Sequence, residues 1–222
     1  FPHITYDATI KIEHILKHRD LLPILKETGC LFVTSAVESV DNWILELLEK
    51  NHTDADFGEA VRMLREVGID LAPTFLPFTP WTSLEGYVAM LERIVELELA
   101  SIINPVQLVI RLLVPKGSYL FKLPGFGEIV LPFDANRLGY PWVHEDHRVD
   151  QLQEALEAFV AEAEHKELTR REIFTQIWAQ AHEALGVKAR SLSAEFTGAV
   201  VPQMSEPWYC CAEPTNRQLH DF

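Results

Sequence analysis

Cys30-Leu31-Phe32-Val33-Thr34 runs directly into Ser35-Ala36-Val37-Glu38-Ser39 and then into a helical pattern from Asp41 to Glu49. A short apolar run bounded by turn-formers and followed by helical periodicity marks a buried strand that feeds a helix. The same rhythm extends in both directions. Upstream, Ile4 to Ile12 alternates as a strand does, and Asp20 to Lys26 is helical, with Gly29 ending it. Downstream, Thr53 caps a helix over Asp56–Val67 that stops at Gly68, and Asp70 to Leu76 is the next strand. Ser83 then caps Leu84–Leu97, and Val106 to Val114 is a further apolar strand closed by Pro115. Four strands are expected, the first three each followed by helix. This predicts an α/β protein with a parallel sheet. Four strands cannot close a barrel of usual size, so the sheet is expected to be barrel-like or doubly wound with pieces missing.

Beyond the sheet the character changes. Residues 116–146 are irregular and rich in Gly, Pro and aromatics. Residues 147–185 read as two helices split at Leu168-Thr169, where Thr169 and Glu172 form a capping box, and Gly186 ends the second. Glu154, Glu157 and Glu164 beside Leu152, Leu156 and Phe159 describe an amphipathic helix packed on its own sheet. The expected organisation is therefore residues 1–115 as a sheet-and-helix body, 116–187 as an irregular loop plus two helices, and 188–222 as an extended tail.

Composition excludes several classes. An apolar fraction of 48% in 222 residues allows a sizeable core. A net charge of −14 argues against a nucleic-acid partner, which needs a basic face. No apolar run approaches the ~20 residues of a membrane span. Phe1-Pro2-His3 opens the chain without an initiator Met and without a signal-peptide pattern, so the chain is expected to be a fragment or a processed piece. Three cysteines, two of them adjacent, do not make a secreted disulfide framework; a reducing cytoplasm is expected.

Several residues are candidates for chemistry, each with a plainer alternative. Ser35 and Glu38 sit where the strand delivers its carboxyl end, the edge at which parallel α/β proteins bind ligands. There Glu38 can take hydrogen bonds from ribose hydroxyls or an ammonium group; the alternative is a helix start capped by Asp41. Lys11, Glu13 and His14 either form a polar cluster at the end of the first strand or belong to a charged surface turn. Arg111, inside Leu108-Val109-Ile110-Arg111-Leu112, must be paired; it clamps either a ligand carboxylate or a carboxylate of the protein. His52, in Asn51-His52-Thr53, is either a ligand or a solvated loop residue. Phe75 to Thr82 walls an apolar pocket or simply stiffens a connection. His144-Glu145-Asp146-His147 carries metal-ligand residue types, yet acidic helix starts look the same.

The tail is the most specific signal. Cys210 and Cys211 are neighbours in Trp208-Tyr209-Cys210-Cys211-Ala212-Glu213-Pro214. Adjacent Cα atoms lie about 3.8 Å apart, and a relaxed disulfide prefers about 5.5–6 Å. Such a pair suits redox exchange or soft-metal capture better than a structural link.

Cys210-Cys211-Ala212-Glu213-Pro214 resembles the hallmark of the CUAEP/CCAEP-tail radical S-adenosylmethionine (radical SAM) proteins, some of which carry selenocysteine where Cys211 stands. Thr34 to Ser39, Asn51-His52-Thr53, Ala60 to Ile69 and the exit Thr74 to Thr82 are similar to the middle of many radical SAM domains. The resemblance covers roughly residues 3–115 and the tail. It implies part of a (β/α)6 barrel, and an enzyme that cleaves S-adenosylmethionine at a [4Fe–4S] cluster and abstracts hydrogen from a small-molecule or peptide substrate. It further implies an electron donor and no membrane partner. It places Glu38 at the cofactor, with Ser35 and Arg111 as weaker contacts, and gives Cys210 and Cys211 a catalytic role. The family's CxxxCxxC cluster loop is missing, which predicts that its ligands lie upstream and that this piece alone is inactive. The competing expectation is a non-catalytic α/β module that uses the vicinal thiols for redox exchange or soft metals.

Overall fold

The structure, a computed structural model, describes residues 3–192 together with Val201. Three parallel strands, β1 (Tyr6–Thr9), β2 (Cys30–Glu38) and β3 (Asp70–Phe75), form one sheet in the order β1-β2-β3. Their crossovers carry α1 (Ile12–Lys17), α2 (Leu22–Glu27), α3 (Asn42–Leu47) and α4 (Asp54–Glu66); α5 (Leu84–Glu96) follows β3. A short helix, α6 (Phe126–Ile129), lies in the irregular stretch, and α7 (His147–His165) and α8 (Arg170–Leu185) close the described body.

Local sequence explains where these elements begin and end. Thr53 and Asp56 form a reciprocal capping box on α4, and Thr169 and Glu172 form another on α8. Ser83 accepts the Gly86 N–H at the start of α5. Gly186 closes α8 in the left-handed conformation that a side chain would oppose. Replacing Thr169 by Ala removes one half of its box and should cost about 1 kcal/mol, read as a lower urea midpoint with unchanged slope.

The two faces of the sheet differ in their cover. Register places Val33 beside Leu71 and Ser35 beside Pro73, all buried, and α1, α2 and α4 pack against this sheet. On the opposite face Thr34 pairs with Thr9 and Ala72, and Ala36 with Thr74. These residues are half-buried or exposed. Parallel sheets are ordinarily buried on both sides. The main core continues from the covered face through Phe57, Tyr87, Leu91 and Ile94 to Phe174 and Ile177.

The fourth expected strand is corrected. Pro105–Leu108 forms a 3-10 helix, and only Arg111 and Leu112 keep bridge geometry, Arg111 as an isolated parallel bridge to Phe78. Side chains take the hydrogen bonds that a strand ladder would have used. Gln107 Oε1 accepts the Phe75 N–H at 3.3 Å, Tyr87 donates its hydroxyl to the Leu108 carbonyl at 2.8 Å, and Gln153 donates to the Val109 carbonyl at 3.1 Å. Two boundaries also differ. Lys11 is the cap of α1 rather than strand, and β2 runs on to Glu38, which puts Ser35 within the strand.

Candidate functional site

The carboxyl ends of β2 and β3 hold the most unusual local geometry. Glu38, the last residue of β2, has φ +67°. A left-handed conformation is costly for a residue with a side chain, and such residues persist only where their surroundings hold them. Four interactions do so here. The Glu38 carbonyl accepts the Leu76 N–H at 2.9 Å, and Lys50 Nζ donates to Glu38 Oε1 at 2.8 Å. The Ser39 N–H folds back to the Val37 carbonyl at 2.9 Å, and the same carbonyl takes a 3.1 Å bond from His52 Nε2, which therefore carries the ring proton. The sheet register shifts at this point, between Ala36 and Glu38.

Glu38 is nearly inaccessible, its side chain only 9% exposed, whereas the Lys50 side chain is 28% exposed. A carboxylate so far from water is stabilised by a paired cation, and Lys50 supplies one. Beside them lies a small pocket lined by Glu38, Ser39, Asp41, Thr82, Ser83 and Tyr87, among others. Its volume of about 20 Å³ is room for about one water. Thr79 and Thr82 join hydroxyls at 2.8 Å behind it. Burial pushes the Tyr87 phenol far up, so it stays neutral.

Of the three residues expected at the cofactor, only Glu38 lines this pocket. Ser35 is fully buried on the helix-covered face, and its Oγ has no hydrogen-bond partner. Arg111 is engaged across the sheet's far edge. It bonds Asp150 Oδ1 at 2.7 Å and the Trp142 carbonyl at 2.5 Å, and its guanidinium lies 3.5 Å from the Trp142 ring centre. The sequence left open whether Arg111 holds a ligand or a protein carboxylate; the structure provides the protein carboxylate, Asp150. Cys210 and Cys211 lie outside the described residues.

The remaining candidates resolve to local roles. His52 serves the Val37 carbonyl. Lys11, Glu13 and His14 form an exposed cluster with separations of 3.6–3.7 Å. His144 Nδ1 takes the Asp146 N–H at 2.9 Å, and the Arg148 guanidinium holds the Asp146 carboxyl down at about 2. Among the described residues no group of three or more His, Cys, Asp or Glu is placed to hold a metal ion. Cys30 is buried, and burial pushes its thiol above the usual range. The described residues therefore do not supply a ligand set for an iron–sulfur cluster, and none of the chemistry below is routed through one. The positively charged group they place on Glu38 is the Lys50 ammonium.

Sequence reasoning passed over Lys50, although it immediately precedes the Asn51-His52-Thr53 stretch that drew attention to His52. Its role depends on the path of residues 48–53 back over the end of β2, which no local pattern encodes. No described helix is long and apolar enough to cross a membrane.

No protein-family model matches the sequence, and no curated protein does. Solved structures do match in fold. The chain is similar to the cobalamin-dependent S-adenosylmethionine radical enzyme OxsB with aqua-cobalamin bound, with a TM-score of 0.61 at 12% identity. The form of OxsB with aqua-cobalamin and S-adenosylmethionine bound gives the same values, and apo OxsB gives 0.60 at 12% identity. Each match covers 82% of this chain and 34% of that one. The chain thus spans about a third of the length of these structures. The mixed α/β body with its three-stranded parallel sheet shares its fold with part of a radical SAM enzyme.

Proposed function

We propose that this chain is a portion of a radical SAM enzyme of the CCAEP-tail kind, forming the later units of a (β/α)6 barrel around S-adenosylmethionine. The observation that carries this is Glu38, a buried carboxylate held in a left-handed turn at the carboxyl end of the central strand. The fold it belongs to is shared with enzymes that use this cofactor. Carboxyl ends of parallel strands are where such folds bind ligands. The less covered sheet face, with Thr34, Ala36, Ala72 and Thr74, gives the adjoining lumen.

In this proposal Glu38 accepts hydrogen bonds from the ammonium or ribose hydroxyls of S-adenosylmethionine and orients it. Thr34 and Thr74 offer hydroxyls on the lumen side. Cys210 and Cys211 are proposed to act on a later intermediate, and the substrate is a small molecule or peptide from which the enzyme abstracts a hydrogen atom.

The test uses the protein from the intact gene, prepared without oxygen. S-adenosylmethionine should bind, and 5′-deoxyadenosine should form under reducing conditions. Losing a charge-assisted hydrogen bond costs about 1.5–3 kcal/mol, so Glu38→Gln should weaken cofactor binding roughly 10- to 100-fold. A wild-type protein that binds no S-adenosylmethionine in equilibrium dialysis overturns the proposal.

A further inference from the structure

We infer that Lys50 is a resident surrogate for a ligand's positive charge, so that the rim site admits ligands whose cation displaces the Lys50 ammonium from Glu38. The inference rests on the proposed S-adenosylmethionine site and adds a specificity device to it. The observations are geometric. The Glu38 side chain is only 9% exposed, and Lys50 Nζ sits on its Oε1 at 2.8 Å. The two ends of that pair differ. Glu38 is fixed by its strand and by Leu76, while Lys50 is a flexible stem with more than a quarter of its side chain already in solvent. An ammonium on four methylenes reaches water by rotamer changes alone. The carboxylate stays in place and the lysine is the exchangeable partner.

The adjoining pocket holds only about one water. A ligand cation therefore has no vacant place beside Glu38 and must take the one that Lys50 fills. A neutral ligand would strand Glu38 without a counter-charge if it displaced Lys50, and this is the discrimination. Asp41 lines the same pocket but is committed to the Trp43 and Ile44 N–H groups as the cap of α3. His52 is held by the Val37 carbonyl. Lys50 acts through Glu38 and is a positioning residue, not a catalytic one.

The experiment follows Lys50 itself. The full-length protein is pulse-labelled with an amine-acetylating reagent, and the Lys50 peptide is quantified by mass spectrometry. The pulse is run without ligand, with saturating S-adenosylmethionine, and with 5′-deoxyadenosine as the uncharged probe. Equilibrium dialysis of both ligands is run on the same samples. Labelling of Lys50 should rise at least fivefold with S-adenosylmethionine and stay within twofold with 5′-deoxyadenosine. Glu38→Gln should label at the high rate with no ligand present. Lys50→Met should bind S-adenosylmethionine several-fold tighter and 5′-deoxyadenosine unchanged, while Lys50→Arg should behave as the wild type. A merely structural lysine would give none of these charge-dependent differences. If S-adenosylmethionine binds and Lys50 labelling is unchanged or suppressed, this inference falls and the proposed function stands. If S-adenosylmethionine does not bind at all, both fall.

Discussion

Replacing Arg111 by Met should lower the stability of the folded chain by about 3–5 kcal/mol, well above the cost of losing a helix cap or an exposed ion pair. The side chains of Arg111 and Asp150 are only 14% and 16% exposed. Removing the guanidinium leaves the Asp150 carboxylate in a poorly solvated site with no opposite charge. It also takes a donor from the Trp142 carbonyl and a cation from above the Trp142 ring. Asp150 lies in the first turn of α7 and also accepts the His144 N–H at 2.9 Å. The substitution thus loosens α7 from the 109–112 segment and from the irregular stretch together. Urea unfolding followed by tryptophan fluorescence measures the loss. A second substitution, Asp150→Asn, keeps the acceptor for His144 and removes the stranded charge. The double variant should recover about half of the loss, and a double-mutant cycle then gives the coupling directly. Strictly additive effects would show that the pair contributes nothing beyond its separate parts.

Gly29→Ala should be nearly as damaging, at about 3 kcal/mol. Gly29 has φ +100°, a conformation that a side chain opposes by about 1–2 kcal/mol. The added methyl would also lie 2.6 Å from the Ile4 carbonyl oxygen, closer than such atoms approach. Ile4 and Thr5 lead into β1, and the Gly29 carbonyl accepts the Tyr6 N–H at 3.2 Å. Relieving the contact therefore moves the first strand away from β2. Hydrogen exchange should show the amides of β1 losing protection before those of β2 and β3. Equal protection across all three strands would mean that the chain absorbs the methyl elsewhere.

The crossover pattern was legible because each unit carries its own punctuation. Gly29 and Gly68 stop helices, while Thr53, Ser83 and Thr169 start them, and all five do so as expected. The run Val106 to Val114 misled because its apolar side chains are indeed buried, as a central strand's would be. What decides its backbone is the arrival of Tyr87 and Gln153 from distant positions to take two of its carbonyls. Propensity does not register partners that lie 21 and 44 residues away. The site divides in the same way. Glu38 was visible from its place after an apolar strand, yet its left-handed turn and its partner Lys50 were not. Ser35 was misplaced by a single boundary: a strand that continues to Glu38 turns Ser35 toward the helices.

The strand order has a consequence for synthesis. Each strand hydrogen-bonds to the strand made just before it, and β3 hands on to Arg111 through Phe78. Nothing in this sheet waits for a partner from much later in translation. As the ribosome delivers each crossover, the preceding strand already presents the template on which the new one can dock. Growth by accretion from a nascent edge lets each pairing form once a single crossover has been made, although every such pairing still closes the long loop that a parallel connection requires.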